Sequence, residues 1–165
     1  MITGFTLDGD EYIWTRRPPT SASATVPRFG VPVLFPSCGN PDGGVHLFDG
    51  KAYPMECHGF ADLCAWEVES VGPDGVTLIL ESTPLTKFLY PFDFTLLVNY
   101  DLNGTTASIS MTVINEGDVP MPFSFGYHPY FNRFRAGECG LLTSSAPPAP
   151  RTPRASSPPP RKRSP

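Results

Sequence analysis

Nothing in the sequence approaches the roughly 18 consecutive apolar residues that cross a bilayer as a helix, and no basic-then-apolar leader opens it. A cytoplasmic address without a membrane partner is therefore the expectation. A sustained 3.6-residue apolar period is missing as well, and 21 prolines in 165 residues are too many for a helical protein. There is no Cys-x-x-Cys pair. The four cysteines (Cys38, Cys57, Cys64, Cys139) are scattered, and adjacent Cys57 and His58 would point apart in an extended chain. Zinc sites favour two close ligand pairs, so no metal centre is expected. Without secretion a disulfide framework has no support either, which leaves reduced, mostly buried thiols. A Gly-x-Ser-x-Gly turn is absent, and with it the usual sign of acyl transfer. Phosphate-loop and dinucleotide fingerprints are absent too.

Acidic residues stop at Glu138. Up to and including that residue sixteen Asp/Glu outweigh seven Lys/Arg, so the body is strongly acidic, which argues against a nucleic-acid surface. After it come Arg151, Arg154, Arg161, Lys162 and Arg163 in a background of proline, serine and alanine. Such composition buries too little surface to offset its ordering entropy. The expected organisation is a folded domain over residues 1–137 and a Pro/Ser/Arg-rich disordered, partly polyproline-like tail over 138–165. The run Pro160-Arg161-Lys162-Arg163 reads as a solvated tail rather than an address signal.

What the body does contain is strand signal. Residues 2–14 suggest two short strands around Asp8-Gly9-Asp10, and Phe29–Pro36 fits a short edge strand broken by prolines. Residues 39–50 read as loop and Tyr53–Phe60 as extended chain. Trp66 and Val68 alternate with Glu67 and Glu69. After a Gly72-Pro73-Asp74-Gly75 turn, Val76, Leu78 and Leu80 alternate with Thr77 and Glu81. Phe94, Leu96, Val98, Tyr100 and Leu102 share one face, as do Ile109, Met111 and Val113. An Asn103-Gly104 turn would pair Leu102 with Thr105, Tyr100 with Ala107, Val98 with Ile109, Leu96 with Met111 and Phe94 with Val113. The fold class is all-β: an antiparallel β-sandwich or barrel.

Chemistry concentrates at Phe123–Phe131 (FSFGYHPYF). With period two, Phe123, Phe125 and Tyr127 face a core, while Ser124, Gly126 and His128 face the other way. His58 is the second histidine in an aromatic, glycine-flanked setting, whereas His46 sits in a polar stretch. Two imidazoles at one cleft would offer a general acid and a hydrogen-bond donor near neutral pH. A base is also needed; Glu56, Asp62, Glu67 and Asp93 are available, and spacing selects none of them.

Four segments in order resemble the aldose 1-epimerase (galactose mutarotase-like) family: Arg28–Pro36 (RFGVPVLFP), His58–Ala61 (HGFA) with Trp66, Tyr90–Phe94 (YPFDF) and Pro122–Phe131 (PFSFGYHPYF). The resemblance covers about residues 2–135. It implies an antiparallel β-sandwich of the mutarotase supersandwich type, with a hexose or related aldose as partner and no cofactor or metal. It also implies an isomerase that interconverts α and β anomers by acid/base ring opening. His128 then matches the general acid on the ring oxygen, and His58 the residue that hydrogen-bonds substrate near that oxygen. Phe60, Tyr130 and Arg28 become substrate-contact candidates. The family's glutamate base and a sugar-binding aspartate lie further downstream than the resembling segment. The domain therefore reads as an incomplete sandwich with reduced or no activity, a truncated or frame-shifted mutarotase. Asp62 stands where many relatives carry arginine, which speaks against sugar phosphates. Two further readings stay open: a non-catalytic carbohydrate-binding remnant, and an interaction protein acting through the basic proline-rich tail.

Overall fold

A computed structural model describes residues 1–14 and 30–132. Arg28, the expected boundary at 137 and the basic tail lie outside the described residues. Within them the chain is built almost wholly from antiparallel strands. Strands β1 (Thr6–Leu7) and β2 (Asp10–Glu11) pair across Asp8-Gly9. Both turn residues have positive φ, 51° and 90°, as a tight I′ connection requires. Strand β3 (Val33–Leu34) follows, then a 3₁₀ turn at Asp42–Gly44. β4 (Val45–Phe48) and β5 (Lys51–Pro54) form a hairpin closed by Asp49-Gly50, again both at positive φ. That hairpin occupies part of the stretch expected as loop: its exposed edge alternates too little in hydrophobicity to show, although Asp-Gly was the cue.

The main sheet is a meander of β6 (Glu67–Val71), β7 (Gly75–Glu81), β8 (Phe94–Asn103) and β9 (Thr106–Asn115), in that spatial order. β6 lies at its edge with a bulge at Glu69, and Val68 is 61% exposed there. Phe94, Leu96 and Val98 are fully buried on one face of β8, as the alternation predicts. The β8–β9 register differs from the expected one by two residues: Leu96 opposes Val113, Val98 opposes Met111 and Tyr100 opposes Ile109. The loop is Gly104-Thr105, with Asn103 still paired to Thr106 and Gly104 at φ 57°. A two-residue slip keeps every side chain on its own face, so the apolar pattern is blind to it. Glycine at the first central position then decides.

A six-residue helix α1 (Pro84–Leu89) joins β7 to β8. Thr83 accepts from Thr86 N–H, Thr86 Oγ1 accepts from Thr83 N–H, and Pro84 takes the first helical position. Six residues are too few turns for a period to register, so this helix escaped the periodicity reading. No helix among the described residues is long and apolar enough to cross a membrane.

The core is aromatic. Phe35 has no exposed surface, and its ring meets Phe60, Tyr90 and Phe94 within 5.1–6.4 Å, in edge-on geometry. Tyr90 is equally buried and donates to Pro122 O at 2.9 Å. Burial pushes its phenol well above the ordinary value. Strand β10 (Gly126–Tyr127) pairs with β3, and the ladder continues through Ser124 N–H to Pro36 O, His128 N–H to Pro32 O and Tyr130 N–H to Gly30 O. Of the expected apolar face, Tyr127 is half-buried, but Phe123 and Phe125 are 42% and 51% exposed. The reason is that Phe123 reaches only the rim of the core, at Phe35. The thiols depart from expectation too: Cys38 is exposed, and Cys57 and Cys64 are half-buried.

Candidate active site

His58 follows β5 at a tight turn closed by Gly59 N–H to Glu56 O. His58 and Gly59 both lie in the left-handed region, at φ 71° and 81°. Glycine adopts that conformation freely, but histidine does so at a cost of about 1–2 kcal/mol. The surrounding hydrogen bonds over-determine it: His58 N–H donates to Gly39 O, while Phe60 and Ala61 N–H both donate to Phe35 O. Gly39 N–H donates to His58 Nδ1 at 3.0 Å, so the neutral imidazole carries its proton on Nε2.

His128 arrives from β10, on the face opposite Tyr127. Its ring centroid lies 5.6 Å from that of His58, at 62° between planes, and 4.7 Å from that of Tyr130, nearly parallel. His58 is half-buried and His128 exposed. Two histidines distant in sequence thus form one surface cluster, with Tyr130 stacked on the outer ring. His46 instead lies on β4, edge-on to Phe48. Arg28 lies outside the described residues.

Phe60, a substrate-contact candidate, is 5% exposed, in ring contact with Phe35, Tyr90 and Phe94. It anchors the His58 turn from below. Among the four candidate carboxylates, Asp93 is engaged by Lys87 Nζ at 2.6 Å, and Glu56 and Glu67 point to solvent. Asp62 is the one that feels His58 electrostatically. Burial raises its pKa, an effect partly opposed by a backbone hydrogen bond and by the nearby His58, and its Oδ2 is shielded from solvent without a hydrogen-bond partner. Burial also raises the Cys38 thiol, which makes a nucleophilic thiolate unfavourable there. Among the described residues no three His, Cys, Asp or Glu side chains gather as a metal site. A crevice of about 660 Å³ opens between the N-terminal hairpin and the β7–β9 sheet, lined by Ile2, Phe5, Leu7, Val76 and Tyr100. Neither histidine lines it, so the histidine pair and this crevice do not coincide.

The sequence profile of the aldose 1-epimerase family matches residues 2–139. The chain belongs to the aldose 1-epimerase family. A galactose mutarotase related enzyme from Lactobacillus acidophilus superposes with TM-score 0.69 at 32% identity, over 80% of this chain and 42% of that one. The Slr1438 protein from Synechocystis sp. PCC 6803 superposes with TM-score 0.72 at 35% identity, over 78% and 46%. Protein LacX (plasmid) of Lactococcus lactis subsp. lactis is 29% identical over 131 residues, 76% of this chain and 42% of LacX. The fold is therefore the antiparallel galactose mutarotase-like one, and the chain spans less than half the length of these relatives.

Sequence reasoning named both histidines and Tyr130 but missed the turn that orients His58. Gly39 gave no signal, because its contribution is a main-chain amide. Ser124, on the His128 face of its strand, was visible there without a stated role.

Proposed function

We propose that the chain binds an aldose across His58 and His128 and acts in opening its ring, as the acid side of anomer interconversion. The observation that carries this reading is the His58–His128 pair at 5.6 Å, with His58 Nδ1 engaged by a backbone amide. Protonated His128 gives its proton to the ring oxygen as the bond from that oxygen to the anomeric carbon breaks. The electron pair of the breaking bond stays on the oxygen, and the anomeric hydroxyl gives its proton to water as the open-chain aldehyde forms. Rotation about the adjacent carbon–carbon bond is followed by reclosure, in which the chain hydroxyl returns its proton to His128, the carbonyl oxygen takes one from water, and the other anomer forms. His58, donating through Nε2–H, supports the same oxygen. Tyr130 stacked on His128 limits that ring's rotation and offers an aromatic surface beside the sugar.

The family's glutamate base lies downstream of the matching segment in the resemblance. With water in that role, the rate is expected to fall about 10²–10⁴-fold below that of an enzyme with a positioned base. The test is polarimetry on freshly dissolved α-glucose and α-galactose, with and without protein. Acceleration that His128→Ala reduces by roughly 10²-fold or more supports the reading. Sugar-induced thermal stabilisation without acceleration supports sugar binding alone, and neither effect refutes both.

A further inference from the structure

We propose that Ser124 is a positioning residue that ties the two histidines into one unit; the proposal deepens the acid-side reading and rests on it. Ser124 sits two positions before Gly126 on the strand that delivers His128, and on the same side of that strand. Its hydroxyl accepts from Cys38 N–H at 2.8 Å. The next residue, Gly39, holds His58 twice: its N–H donates to Nδ1 at 3.0 Å, and its carbonyl accepts from His58 N–H at 2.9 Å. One continuous path of hydrogen bonds therefore runs from the His128 strand, through the 38–39 turn, to the ring of His58.

The chemical consequence is specific. A neutral imidazole has one donor and one acceptor nitrogen, and the assignment follows whichever partner occupies the other side. If the Gly39 amide moves away, nothing else described at Nδ1 favours the Nε2–H form. His58 would then sample the tautomer that presents a lone pair, not a proton, through Nε2. Gly126 guards the same turn from beneath: a Cβ there would come within 3.2 Å of Cys38 Sγ, so the strand approaches the turn closely because residue 126 lacks a side chain.

Three variants of the full chain test this. Ser124 is exposed, so Ser124→Ala removes the hydroxyl without opening the core. Ser124→Thr restores a hydroxyl, and Gly126→Ala pushes on Cys38. Nitrogen-15 NMR of the histidine side chains reads the His58 tautomer without any turnover. Wild type and Ser124→Thr are expected to show Nδ1 unprotonated and Nε2 protonated, whereas Ser124→Ala and Gly126→Ala show a mixture. Replacing Cys38 by alanine in the Gly126→Ala background should return the wild-type pattern. Mutarotation by Ser124→Ala should fall about fivefold, the effect of one hydrogen bond, with Ser124→Thr recovering most of it. A wild-type tautomer pattern in Ser124→Ala overturns the proposal whatever the rates. If the wild-type chain fails to accelerate mutarotation, the catalytic reading falls, and the spectrum still decides the role of Ser124.

Discussion

Replacing Gly59 by alanine probes the turn that presents His58. At φ +81° an L side chain costs about 1–2 kcal/mol. The new methyl would also overlap the Phe35 carbonyl and approach Pro36 N to 2.8 Å. Both are backbone atoms, with no rotamer through which to yield. The same carbonyl accepts from Phe60 N–H at 3.0 Å and Ala61 N–H at 3.2 Å, so relieving the overlap weakens two hydrogen bonds worth about 0.5–1.5 kcal/mol each. Together the losses reach about 2–5 kcal/mol, a large part of a typical stability of about 5–15 kcal/mol. Gly50→Ala is the control: its φ is +77°, but nothing lies within 4 Å of the added carbon, so only the conformational cost applies. Urea unfolding followed by Trp14 and Trp66 fluorescence gives both midpoints, and an unchanged slope permits direct comparison. Gly59→Ala should lose at least about 1 kcal/mol more than Gly50→Ala. Equal losses would refute the reasoning, because the contact between Gly59 and the Phe35 carbonyl would then hold nothing in place.

Two further perturbations test other parts of the structure. Asp62 has a folded pKa above its ordinary value, because burial opposes its charge. The folded state then binds the proton more tightly, so stability present at low pH is lost as pH rises from about 4 through the raised value. Asp62→Asn should consequently raise the melting temperature at pH 7 and change it little below pH 4; a larger gain in acid than at neutrality would contradict this assignment. The β8–β9 loop is tested by Gly104→Ala, expected to cost about 1 kcal/mol at φ +57°, against Asn103→Ala, expected within about 0.5 kcal/mol because Asn103 is an exposed strand residue. Reversed magnitudes in denaturant titrations would restore the Asn103-Gly104 turn and its register.

Much of the fold is legible in the sequence, and the reason lies in particular residues. Phe94, Leu96 and Val98 recur with period two, flanked by polar Thr95 and Asn99 and broken on the other face only by Leu97, and that period alone assigned their buried face. Asp8-Gly9 marked a turn because aspartate and glycine tolerate the positive φ found at both positions. The β8–β9 register, by contrast, was misjudged by two residues, since both registers bury the same side chains. The orientation of Phe60 was hidden for a related reason. Its motif placed it beside His58, and only packing against Phe35, Tyr90 and Phe94 revealed which way its ring goes.

The sequence by itself determined the strand class, the acidic body, the two histidines in glycine-flanked aromatic settings and, through four ordered motifs, the family resemblance. Those are local properties, set by side-chain alternation, charge and backbone freedom at individual positions. Only the tertiary structure decided that His58 and His128 share one cluster, that Gly39 engages His58 Nδ1 and that the Asp62 carboxyl is half-buried with one oxygen unpartnered. Each of these depends on contacts between segments far apart in the chain. A strand pattern states which side a residue faces; which neighbour it meets is settled when the ladders of residues 30–36 and 124–130 close around the Phe35 core.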